Sequence, residues 1–243
     1  MTRFFVMPGE ITGETAVLTG ENAAHAKVLR LKAGEQVLLC DGAGTEWLCE
    51  VESMGNGETE LHILEQRPSE SEARVQVSIY MALPKSDKLE QVIQKATELG
   101  ADEIVTFPSA RCVSRPDEKS LRKKQERWQK IAASAAEQSG RGKIPQVVVL
   151  SGYREALERG SKADLPLLFY ENERATTLHM ALEQGKWQSA ALLTGPEGGL
   201  EEGEVAEAME AGFRVCTLGR RILRCETAPL CALSAVMYAA GEF

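Results

Sequence analysis

The sequence predicts an α/β protein in two parts: a small β-barrel, then a mainly parallel sheet with helices on both faces. Three observations carry this. Residues 3–66 show short alternating apolar and polar runs divided by turn residues. From residue 75 onward, apolar runs alternate with stretches whose apolar positions recur at helical spacing. Between them, RPSESEA at 67–73 is polar and proline-containing, and reads as a linker. The expected domains are residues 1–70 and 74–243.

In the first part the strand candidates are RFFVM, TAVLTG, EQVLLCDG, TEWLCEVESM and ETELHILEQ. Asp41-Gly42 and Gly55-Asn56-Gly57 mark turns between them. One helix, around NAAHAKVLRL, interrupts the strands. In the second part the strand candidates are VQVSIYMAL, EIVTFP, QVVVL, LPLLFYE, SAALLTG and FRVCTLG. KLEQVIQKATELG between the first two has helical periodicity. The run RCVSRPDEKSLRKKQERWQK continues into IAASAAEQSG, which predicts a long helix from about 117 to 139 with Gly140 as its cap. APLCALSAVMYAA is an apolar final helix, suited to a core or to a partner subunit. Strands alternating with helices in this way indicate a parallel sheet.

Composition narrows the class. The chain has 243 residues, 43% of them apolar, enough for a sizeable core. No run of about 18 apolar residues occurs, so no membrane partner is expected. MTRFFVMPGE lacks a secretory apolar region, and six cysteines without a CxxC pair read as reduced thiols. Both point to a cytoplasmic protein. Three isolated histidines argue against zinc, and no metal is expected.

The net charge of −8 opposes nucleic-acid binding until its distribution is read. Residues 1–73 hold 5 basic and 13 acidic residues, whereas residues 74–243 hold 23 of each. Residues 111–130 carry 8 basic against 3 acidic. A local field draws in a polyanion, although a solvated helix face explains the same run.

The loop after the first strand of the second part, PKSDKLEQ, has neither GxGxxG nor GxxxxGK[ST]. A dinucleotide fold and a P-loop are therefore unsupported. The glycines come late, in LLTGPEGGLEEGE at 192–204. Pro196 fixes φ there, and Gly198-Gly199 permit close backbone approach to a ligand or simply a tight turn. LGRRILRCETAP at 218–229 then packs four charges between two apolar runs, as a solvated turn or as a loop closing on a ligand.

Two such loops after the last two strands of one sheet are more specific than either alone. The sequence resembles the SPOUT (trefoil-knotted) methyltransferases, and within them the bacterial RsmE-type 16S rRNA uracil-N3 methyltransferases. The resemblance covers nearly the whole chain, through RFFV, HAKVLRLKAGE, KSDKLEQVIQKATELG, EQSGR, TGPEGG and LGRRILRCETA. Cys225 departs from the hydroxylated or small residue usual there, and no role is assigned to it. The resemblance implies a knotted C-terminal domain that binds S-adenosylmethionine, and an N-terminal PUA-like barrel that binds RNA. By position, Thr194, Gly195 and Gly199 would hold the cofactor from one loop, and Leu218, Gly219, Ile222 and Leu223 from the other. It also implies a homodimer built on the last helix, and 16S rRNA of the small ribosomal subunit as partner.

Methylation at uracil N3 requires an unpaired base, loss of the N3 proton, and stabilisation of charge on the flanking carbonyls. Arg224 is the expected donor to those oxygens. Glu226 either takes the proton, orients Arg224, or simply favours a helix dipole. Arg221 can bind the cofactor carboxylate or RNA phosphate, and Arg141 can touch substrate. Arg122, Lys123 and Lys124 form the basic helix face. Arg3, Lys27 and Arg30, with Lys32, are crowded onto one edge of an otherwise acidic barrel, a second RNA-facing surface. His25 in that edge reads as a structural residue. Two alternatives remain: a knotted methyltransferase acting on tRNA or another rRNA position, and a catalytically silent ribosome-assembly protein.

Overall fold

The computed structural model describes residues 1–183 and 185–243 and divides them into two compact units. The first comprises residues 1–72 and 136–144. Its strands are β1 (Thr2–Phe5), β2 (Ile11–Thr12), β3 (Thr15–Leu18), β4 (Gln36–Cys40), β5 (Thr45–Gly55) and β6 (Glu58–Pro68), with helix α1 (Gly20–Val28) after β3. They form one sheet in the order β1-β4-β5-β6-β3-β2, in which β1 and β4 run parallel and the other pairs antiparallel. Alternation places Phe4, Leu18, Val37, Leu39, Val51 and Leu61 in a common core. Asn56 and Gly57 both adopt positive φ, 52° and 82°, the primed turn whose twist matches a hairpin. Asp41 closes the other turn by accepting from the backbone N–H of Ala43 and Thr45 at 2.7 and 3.0 Å.

The expected linker starts later than the composition implied, because Arg67 and Pro68 complete β6. Arg67 is held there by Glu46 on β5, Nε to Oε1 at 2.9 Å. Arg3 meets the other oxygen of Glu46 at 3.0 Å. Glu46 is only 3% exposed, so this carboxylate needs both cations to offset its desolvation.

The second unit comprises residues 73–135 and 145–243. In chain order it contains β7 (Gln76–Ala82), α2 (Lys88–Glu98), β8 (Glu103–Phe107), α3 (Glu118–Ser139), β9 (Gln146–Val149), α4 (Tyr153–Gly160), β10 (Leu165–Phe169), α5 (Leu178–Leu182), β11 (Ser189–Thr194), α6 (Glu202–Glu210), β12 (Arg214–Cys216) and α7 (Thr227–Ala239). The last turn of α3 belongs to the first unit. There Gly140, at φ 76°, ends the helix, with Arg141 N–H returning to the Ala136 carbonyl at 2.9 Å.

The sheet order is β12-β10-β11-β7-β8-β9, and every recorded pairing is parallel. Parallel strands are covered on both faces, which is why Ala190 to Thr194 is a continuous buried run rather than an alternating one. Helix α7 packs on β7, β11 and α2. This is the α/β architecture the sequence predicts, a parallel sheet following a small β domain. Among the described residues no helix is long and apolar enough to cross a membrane.

Candidate active site

Strands β12, β10, β11 and β7 are neighbours in the sheet, so the loops leaving their carboxyl ends converge. These loops line a cleft of about 530 Å³. Thr194, Gly195 and Gly199 come from the loop after β11, and Leu218, Gly219, Ile222 and Leu223 from the loop after β12. Arg220, Arg221 and Arg224 line the same cleft. The two motifs that the sequence singled out are therefore walls of one cavity.

Backbone geometry explains the glycines. The Gly199 N–H donates to the Pro196 carbonyl at 2.9 Å, closing a turn that leaves Gly199 at φ 69°. A Cβ on Gly199 would collide with the Glu171 carboxylate. A Cβ on Gly195 would come within 3.1 Å of the Gly199 carbonyl carbon and of Leu200 Cγ. Gly195 is thus required by the fold of its own loop, which doubles back on it. Thr194 Oγ1 is buried at the cleft with no hydrogen-bond partner among the described residues. Ile222, by contrast, is 82% exposed, a large apolar side chain at the cavity's edge.

Arg224 is exposed at the cleft, and its guanidinium has no side-chain partner among the described residues. Glu226 begins α7 without capping it. Its Oε2 instead meets Lys88 Nζ at 3.2 Å and accepts from the Cys225 thiol at 3.2 Å. Lys88 Nζ also contacts Glu197 Oε1 at 3.1 Å, and that oxygen accepts the Lys85 N–H at 3.0 Å. Burial pushes the Cys225 thiol up to about 12, so it serves as an S–H donor. Burial alone would raise the Glu226 carboxyl, but backbone, Cys225 and Lys88 hydrogen bonds outweigh it and hold the group low.

Lys88, Glu197, Glu171 and Arg174 were not among the sequence-predicted site residues. Glu197 lies within the quoted TGPEGG motif, so its position was visible and its role was not. Lys88 lies within the quoted KSDKLEQVIQKATELG but far from the two loops in sequence, and the pairing of β7 with β11 and the packing of α2 on α7 bring it near.

Two expected RNA contacts are placed differently. Arg3 is committed to Glu46, and its side chain is largely buried. Arg141 is 5% exposed, its guanidinium on Glu72 at 2.6 Å, while Glu72 Oε1 accepts the N–H groups of Gly142 and Lys143. Both guanidiniums are largely buried against carboxylates, Glu46 buried and Glu72 partly so, which removes them from the surface a phosphate could reach. Lys27, Arg30, Lys32, Arg122, Lys123 and Lys124 are exposed. His25 pairs with Glu137 at 3.3 Å and sets its ring edge-on to Phe4, in keeping with a structural residue. Among the described residues no three His, Cys, Asp or Glu side chains gather as a metal site.

Comparison with known proteins follows the same division of the chain. An RNA methyltransferase domain family matches residues 71–237, and an RNA methyltransferase PUA domain family matches residues 18–64. The chain is 38% identical to ribosomal RNA small subunit methyltransferase E of Bacillus subtilis, covering 98% of this chain and 96% of that protein. It is 36% identical to the protein of the same name from Mycobacterium bovis, over 96% and 90%. Among solved structures, ribosomal RNA small subunit methyltransferase E from Neisseria gonorrhoeae bound to S-adenosyl methionine superposes with a TM-score of 0.86 at 33% identity, covering 98% and 97%. A methyltransferase from Legionella pneumophila in complex with the same cofactor gives 0.85 at 30% identity, over 98% of each chain.

Proposed function

This chain belongs to the RNA methyltransferase family, and on that premise we propose that it transfers a methyl group from S-adenosylmethionine to N3 of a uridine in 16S rRNA of the small ribosomal subunit. The observation that carries the reading is the single cleft made by both motif loops, with a free arginine at its mouth. The chain's residues fit the cofactor. Thr194 Oγ1 is a buried polar atom awaiting a partner. Gly195 and Gly199 let the loop after β11 fold tightly back beside it, where a Cβ would crowd Leu200 and Glu171. Leu218, Ile222 and Leu223 supply apolar walls for a flat base.

When bound, S-adenosylmethionine supplies an electrophilic methyl group on a sulfonium. Arg224 donates to a uracil carbonyl oxygen as N3 loses its proton, stabilising the charge that develops there. Glu226, aimed at Lys88, is either the proton acceptor or the group that fixes the local field. Arg221 holds the cofactor carboxylate or an RNA phosphate. The experiment is nucleoside mass spectrometry of small-subunit rRNA incubated with protein and cofactor. The expected product is N3-methyluridine; a methyl group on tRNA, on ribose, or on no nucleoside refutes the assignment.

Each unit offers its own RNA-facing cations: Lys27 and Arg30 on the small domain, and Arg122, Lys123 and Lys124 on α3. Arg122 and Arg127 already pair with Glu118 and Glu90 at 2.7 and 2.6 Å. Lys123→Ala with Lys124→Ala should therefore lower the slope of log affinity against log salt by roughly 1 to 2. Titration at several salt concentrations checks this, and an unchanged slope makes the face ordinary solvated surface.

We place the protein in the cytoplasm as a homodimer whose interface includes α7. The outward side of that helix carries Cys231 and Tyr238, the latter 73% exposed, beside half-buried Leu230 and Ala235. The other five cysteines are buried. Maleimide should thus label Cys231 alone, quickly in dilute monomer and slowly at concentrations where sedimentation shows a dimer. Equal labelling in both states excludes this interface.

A further inference from the structure

Helix α2 begins with a residue that local physics disfavours. Lys88 occupies its first position, where the helix dipole is positive and a cation is repelled. Glu226 occupies the N-cap of α7, where a side chain that bonds the first turn would be favoured, yet it makes no capping bond. Both departures are explained by one contact, Lys88 Nζ to Glu226 Oε2 at 3.2 Å. Glu197 completes the set, reaching the same nitrogen at 3.1 Å. Ser86, two residues before Lys88, is held at φ 55°, a region that serine seldom adopts. Local rules broken together around Lys88, which lines the cleft, mark a functional arrangement rather than a stability device.

We infer that Lys88 is a positioning residue for methyl transfer: its ammonium ties the loop after β11, through Glu197, to the first turn of α7, through Glu226, directly beside Arg224. The inference rests on the functional reading above. Lys88 reaches both loops from a third segment, so it fixes the distance between the wall that holds the cofactor and the arginine that meets the base. It is also the cation between two carboxylates that touch one nitrogen. Lys85 contributes only its backbone N–H, Cys225 remains a thiol, and Arg224 is spent on substrate. Without Lys88, Glu197 and Glu226 are like charges in a partly buried space, which favours the protonated form of each.

The sign of the pH effect follows. Lys88 hydrogen bonds now help to hold both carboxyls below their usual range, against burial that would raise them. Removing the ammonium raises both, so a carboxylate needed for the reaction is lost at a higher pH than before. The acidic limb of the pH–rate profile moves up.

The test compares Lys88→Met, Lys88→Arg and wild type, each checked by thermal unfolding, in cofactor titration and in single-turnover methylation of small-subunit rRNA across pH. Lys88→Met should keep cofactor affinity within about threefold, a small energy on the binding scale. Its rate should fall on the order of tenfold to 100-fold, as expected when reacting groups lose alignment. Its acidic limb should rise, and Lys88→Arg should restore both rate and limb. A folded Lys88→Met with the wild-type limb overturns the inference, as does loss of cofactor affinity in step with rate. Wild-type protein that binds the cofactor but methylates no small-subunit rRNA overturns the functional reading and this inference together.

Discussion

Gly199→Val is expected to weaken S-adenosylmethionine binding by on the order of 100-fold or more while the protein stays folded. Two costs combine at this position. The backbone sits at φ 69°, where a β-branched residue is strained by about 1–3 kcal/mol, or roughly fivefold to 150-fold in an equilibrium. The new Cβ also collides with the Glu171 carboxylate, so that exposed side chain must swing aside. Glu171 lines the cleft, so its displacement together with the added branched side chain alters the cavity wall. The hydrophobic interior of the sheet is untouched, because Gly199 lies beyond the end of β11. Isothermal titration gives the affinity, and circular dichroism gives the fold. Wild-type affinity would mean that the loop adapts and that its geometry does not set cofactor binding.

The fold was legible in the sequence because its period changes at one place. Alternation gives way to continuous apolar runs near residue 75, and those are the signatures of a half-exposed antiparallel sheet and a doubly covered parallel one. The motif loops were legible too, since glycine clusters at strand ends have few local explanations. Strand order was not. That β7 lies beside β11 and that α2 packs on α7 are long-range facts, and together they bring Lys88 to Glu197 and Glu226.

Charge was the most misleading feature of the sequence. A surface count treats Arg3, Arg30 and Arg141 alike, but the fold sorts them by what lies opposite. Arg3 finds Glu46 across the sheet and Arg141 finds Glu72, each a carboxylate drawn partly or wholly out of water. Arg30 has no such partner recorded and stays in water. Composition cannot distinguish these cases, because the carboxylates are 43 and 69 residues away along the chain.

Arg224, like Arg220 and Arg221, lines the cleft with no side-chain partner among the described residues, and its removal should separate chemistry from binding. Glu226 and Glu197 are engaged by Lys88, so deleting Arg224 strips no partner from a buried carboxylate. Its backbone carbonyl, which accepts from Thr227 and Ala228 and starts α7, survives truncation of the side chain. Arg224→Ala should therefore fold and hold cofactor as wild type does. Methyl transfer, however, places negative charge on a uracil carbonyl as the N3 proton leaves. Losing one preorganised donor to such an oxygen costs about 2.7–4 kcal/mol of transition-state stabilisation, or on the order of 100- to 1000-fold in rate. Lysine should rescue only in part, since a point charge cannot reproduce a planar fork of donors. The measurement is single-turnover methylation beside cofactor titration on the same preparation. If Arg224→Ala loses affinity and rate together, the guanidinium belongs to the cofactor pocket, and the uracil carbonyl must be met by Arg220 or Arg221 instead.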